Sequence, residues 1–144
     1  MSLRCVHAVQ ASFLCALVAL AVSYPILTVT KLVEDLQLGT LVPGCATAVV
    51  ALVIWYLAFP DASASPKRGV WVGPLIVFLA MWMMFTIFGL FNNATYLGNE
   101  GIMAVVAKTV LVSLFFTLYG NLFLGIVLFP LSMVIAVKFR KWQL

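Results

Sequence analysis

The stretch Leu118-Tyr119-Gly120-Asn121-Leu122-Phe123-Leu124-Gly125 sets two glycines and an amide inside the longest apolar run of the chain, Ile102–Val137. Whether the chain breaks there or continues decides the fold. As one helix the run would extend roughly 54 Å, well beyond a hydrocarbon core of about 30 Å. A break at Gly120-Asn121 would give two short spans in a hairpin; continuity gives one crossing with long interfacial ends.

Charge placement separates these alternatives. Three further apolar runs, Cys5–Thr30, Thr40–Phe59 and Val70–Phe91, are bounded by charge, proline or glycine. Each is about 20 to 26 residues, enough for one transmembrane helix. If the last run crosses once, Arg4, Lys67, Arg68, Lys138, Arg140 and Lys141 share one side, and Lys31 and Lys108 share the other with Glu34, Asp35 and Glu100. That is six Lys/Arg against two, whereas a hairpin would make the split three against five. The positive-inside rule therefore favours four spans with both termini cytoplasmic. Lys108 and Lys138 are thirty residues apart, roughly 45 Å, matching a bilayer counted with its headgroup regions. Both lysines can snorkel, and Asn121 falls about 3 Å from the membrane centre.

Composition supports a membrane solvent. The chain is 65% hydrophobic and only 8% charged, with a mean hydropathy of +1.20, against about 25% charged residues in an ordinary soluble domain. The net charge of +4 sits at the edges of apolar runs, so it reads as topology and not as a nucleic-acid surface. The expected fold is an all-α membrane protein, an antiparallel up-down bundle of four transmembrane helices over approximately 5–30, 40–59, 70–91 and 103–137, forming one domain over 1–144. The expected location is a bacterial inner (plasma) membrane. Arg4 and Ala19-Leu20-Ala21 resemble parts of a signal peptide, but the first apolar stretch greatly exceeds an h-region of about 7–15 residues.

Local signals refine the spans. Thr40 can cap a helix with Pro43 in its first turn, where a missing N–H is harmless. Trp55, Tyr56, Phe59, Trp71 and Trp142 fall at the cytoplasmic edge and Tyr24 and Tyr96 near the outer one, as in an interfacial aromatic belt. Trp82, near the middle of its run, reads as a packing or lipid-facing residue. The loop Pro60–Gly69 reads as a solvated turn, and the Asn93-Ala94-Thr95 sequon abuts the membrane, so glycosylation is not expected.

Along the last run every fourth residue gives Thr109, Ser113, Thr117, Asn121 and Gly125, a small and polar row among Leu, Phe and Val. The first run has a matching row at Ala11, Cys15, Ala19 and Ser23, and the third opens with Gly69-x-x-x-Gly73. Such rows let membrane helices approach closely where lipid supplies no hydrophobic drive. The expectation is that the first and last helices pack antiparallel along them. Asn121 then faces protein, either in an interhelical hydrogen bond or in contact with a ligand, ion or partner helix.

Catalytic, cofactor and metal constellations are not visible. Cys5, Cys15 and Cys45 form no C-x-x-C and read as small apolar side chains. Met81, Met83 and Met84 have no further soft ligand on a clear shared face, and His7 stands alone at an edge. No charged residue lies deep in the first three runs, and only Lys108 approaches the core in the fourth, whereas proton-coupled exporters need a titratable intramembrane group. No P-loop, Rossmann or zinc pattern occurs. The expected role is a non-catalytic accessory, immunity-type or structural subunit that binds another membrane protein through its small-residue faces. The alternative is a small oligomeric channel or uncoupled transporter with Asn121 near the midplane.

Overall fold

The computed structural model describes residues 3–30, 36–60, 65–93 and 101–143, with the side chains of 23, 25–30, 36–40 and 66 excepted. The described chain is all-helical: α1 (Leu3–Thr30), α2 (Leu36–Ala58), a 3-10 turn at Pro66–Arg68 running into α3 (Gly69–Asn93), and α4 (Ile102–Gln143). All four helices are long and apolar enough to cross a membrane. The protein is thus a small four-helix apolar chain of the multi-pass membrane kind.

The run that decides the fold is one unbroken helix of 42 residues, roughly 63 Å long. Gly120 and Asn121 lie inside it. The cost of a glycine in a helix interior is about 1 kcal/mol, whereas backbone groups left unpaired in hydrocarbon cost several kcal/mol each. Continuity therefore wins where there is no water to solvate a break.

Helix α2 departs from the sequence expectation at its start. It begins at Leu36, not near Thr40, and carries Pro43 inside the helix. One proline forfeits a single bond to residue 39, less than the further turn of helix gains, and the Thr47 hydroxyl donates to the Pro43 carbonyl at 2.7 Å. The signal failed because a proline at a first turn and a proline two turns inside look alike in sequence.

The extensive helix contacts among the described residues join consecutive elements: α1 with α2, α2 with α3, and α3 with α4. The expected α1–α4 pairing along the small-residue rows is not the packing found. Instead Ser12 of α1 donates to the Ala48 carbonyl of α2 at 2.8 Å, and α1 and α4 meet at an end, where the Gln143 amide donates to the His7 carbonyl at 3.2 Å. Short connections favour adjacent packing of consecutive elements, and that proximity outweighed the resemblance of two distant rows.

One buried cluster draws residues from every helix: Ala8 and Ala11, Ala51, Trp55 and Phe59, Val72 and Ile76, and Ala136. Small residues dominate α1's share, so the backbones come close. The Gly69-x-x-x-Gly73 pair has the same purpose against α4. A Cβ on Gly69 would lie 2.8 Å from the Val137 amide nitrogen, and one on Gly73 would run into the Ser132 carbonyl.

Candidate functional site

The fourth-residue row of α4 is turned into protein. Thr109, Ser113, Thr117 and Gly125 are buried, Thr117 completely, and Asn121 is half-buried. The facing element is α3, which presents Trp82, Thr86, Gly89 and Asn93. The Asn93 amide donates to the Thr109 hydroxyl at 3.2 Å, the Trp82 indole to the Val110 carbonyl at 3.4 Å, and the Thr86 and Ser113 hydroxyl oxygens lie 2.7 Å apart. A Cβ on Gly89 would lie 2.6 Å from the Thr109 methyl, which makes this a close approach.

The polar groups also bond back onto their own helices. Thr117 donates to the Ser113 carbonyl at 2.8 Å and Thr86 to the Trp82 carbonyl at 2.8 Å, while Ser113 is 2.9 Å from the Val110 carbonyl. Thr86 and Ser113 have one hydroxyl proton each for three contacts, so two of those contacts are hydrogen bonds at any instant. The third is an acceptor in reserve. This arrangement satisfies hydroxyls in an apolar solvent without requiring water.

Asn121 is the exception. Its Nδ2 donates to the Thr117 carbonyl at 2.7 Å, which fixes the amide orientation, because the flipped form would set two acceptor oxygens against each other. Its Oδ1 is buried and has no hydrogen-bond partner. Beside it, the open side of Gly120 faces the Met81 methyl, 3.0 Å from an added Cβ.

The helix 1 row lies elsewhere. Ala11 is buried in the four-helix cluster, Cys15 packs against that cluster, Ala19 is half-buried, and the side chain of Ser23 lies outside the described residues. The two rows therefore do not form one site.

At the end where Arg4, Arg68 and Arg140 gather, aromatic side chains depart from the belt expectation. Trp71 and Trp142 are exposed, but Trp55 and Phe59 are core residues, with ring centroids 4.7 Å apart and Phe139 edge-on to Trp55 at 5.5 Å. Arg140, counted from sequence as a surface charge, is 2% exposed, and its guanidinium lies 4.9 Å over the Phe59 ring. Tyr96 and the centre of the Pro60–Gly69 loop lie outside the described residues.

Sequence reading missed the hydrogen-bonding roles of Trp82, Thr86 and Asn93 and the burial of Arg140, although it read Trp82 as a packing or lipid-facing residue. The first three follow one another at spacings of four and seven on α3, a helical-face signal less regular than the α4 row and masked by the Met and Phe residues between them. Among the described residues, no three His, Cys, Asp or Glu side chains are grouped to hold a metal. Comparison with protein-family models, curated proteins and solved structures found no match.

Proposed function

We propose that this protein is a non-catalytic subunit of a membrane assembly. In this reading it crosses a bacterial inner membrane four times, up and down, with both termini cytoplasmic, and binds another membrane protein in an accessory or immunity-type role. The observation that carries the reading is the use made of the α4 polar row. Thr109, Ser113 and Thr117 are buried against α3, and their hydroxyls bond within the chain, so the row acts as packing and not as the lining of a path or a reaction centre. Because α3 covers the row, the contact with a partner falls at its half-buried member, Asn121, whose Oδ1, buried and unpaired within the chain, accepts a donor from a neighbouring helix once the side chain turns outward.

A channel or uncoupled transporter built from several copies is the competing reading, since copies meeting around Asn121 would also satisfy Oδ1. Native mass spectrometry of protein gently extracted from its own membrane separates the two. The subunit reading expects a defined complex with a different membrane protein. Asn121→Leu should lower its recovery about threefold, the equivalent of the roughly 0.6 kcal/mol average for an interhelical hydrogen bond in a membrane. A homo-oligomer containing no other protein supports the channel, and a heteromeric complex indifferent to Asn121→Leu removes Asn121 from the contact.

A further inference from the structure

The end of the α3–α4 pair where α3 stops and α4 starts carries a cleft of about 440 Å³. Its lining is graded along the helices. Asn92, Asn93 and Lys108 stand at one end, the mouth, and Phe85, Phe88, Val112 and Phe116 line the rest of an open groove, with Val112 and Phe116 exposed along its side. Phe85 and Phe116 approach with ring centroids 6.1 Å apart, so the two helices share the inner wall.

Dimensions select the occupant. Eight residues separate Phe85 from Asn93 on α3, and eight separate Lys108 from Phe116 on α4, roughly 12 Å along each axis. The cleft is then on the order of 7 Å across, too narrow to seat a helix of about 10–12 Å diameter but wide enough for one extended hydrocarbon chain. The mouth lies at the last turn of α3 and the second turn of α4, the level of a membrane–water interface for spans of these lengths. A water-soluble ligand would need polar partners deeper in, where the Ser113 hydroxyl is already engaged with Thr86 and its own helix.

We propose that the cleft holds a glycerophospholipid of the surrounding leaflet. Its phosphate sits at Lys108 and the Asn92 amide, and one acyl chain lies against Phe85, Phe88, Val112 and Phe116. Lys108 is exposed, and a lysine at this depth reaches toward headgroups, where each basic side chain near anionic lipid is worth about fivefold in affinity. The inference rests on the membrane placement of α3 and α4, not on the subunit reading, and its test needs no partner protein.

The test is native mass spectrometry of the purified full chain in detergent, titrated with dioleoyl phosphatidylglycerol or with dioleoylglycerol, which has the same chains and no phosphate. The phospholipid should be retained at least fivefold better. Lys108→Gln should erase most of that preference, Lys141→Gln at the far end of α4 should leave it unchanged, and Val112→Trp, which obstructs the groove, should remove both lipids. Circular dichroism confirms that each variant is folded. Equal retention of the two lipids by the wild type overturns the proposal, as does an equal loss in Lys108→Gln and Lys141→Gln, or undiminished binding in folded Val112→Trp.

Discussion

Gly73 and Gly101 show how position alone separates two identical residues. A Cβ at Gly73 collides with the Ser132 carbonyl, which is backbone and cannot rotate away, whereas one at Gly101 meets nothing within 4 Å. Gly73→Ala should therefore force α3 and α4 apart and destabilise the fold by about 1–3 kcal/mol, the usual range for overpacking. Gly101→Ala should leave stability near that of the wild type. Thermal denaturation in detergent compares them, and equal midpoints would contradict the close approach. The Gly69-x-x-x-Gly73 motif was legible as a contact face from sequence, and so was the inward orientation of Thr109, Ser113 and Thr117. The free Oδ1 of Asn121 was not, because it depends on which atom Thr117 engages. Nor was the burial of Arg140, since charge counting treats every arginine as solvated while its guanidinium here covers the Phe59 ring.

Helix ends obey the same economy as side chains. The last carbonyls of a helix lack intrahelical donors, and α2 has no basic residue in its own last turn. Other elements supply the cations. Arg4 of α1 donates from Nε at 2.9 Å and from Nη2 to the Tyr56 carbonyl, with its guanidinium 3.8 Å over the Tyr56 ring. Arg68 donates to the Ala58 carbonyl at 3.1 Å. A cation at a helix C-terminus is worth about 0.3–1 kcal/mol, so Arg4→Gln should speed amide hydrogen exchange in the last turn of α2 severalfold while sparing the middle of α3. Unchanged exchange at both places would show that the contact does not hold the helix end. Element boundaries were less legible than element number. Pro43 pointed to a helix start one turn too late, because a proline marks a first turn only when the turn before it has no reason to be helical, and in an apolar solvent that reason is always present.

At the scale of the molecule, the existence of four apolar helices was legible from run lengths and from the scarcity of charge, and so was the continuity of α4 across Gly120-Asn121. The pairing was not. The Ala11–Ser23 and Thr109–Gly125 rows match as patterns, but a row states only that a face is narrow, and α2 and α3 lay nearer along the chain to fill those faces. All later steps depend on α4 crossing the membrane once. In the proposed topology, that single crossing sets Lys108 and Lys138 at opposite surfaces, Asn121 between them, and the proposed lipid at the surface opposite the termini. The direct test is accessibility of single cysteines, introduced as Asn92→Cys or Lys141→Cys in a chain whose three native cysteines are replaced by alanine, to a membrane-impermeant maleimide on intact cells. Asn92→Cys should label from outside, and Lys141→Cys only after the membrane is opened. Labelling of both on intact cells would contradict the single crossing.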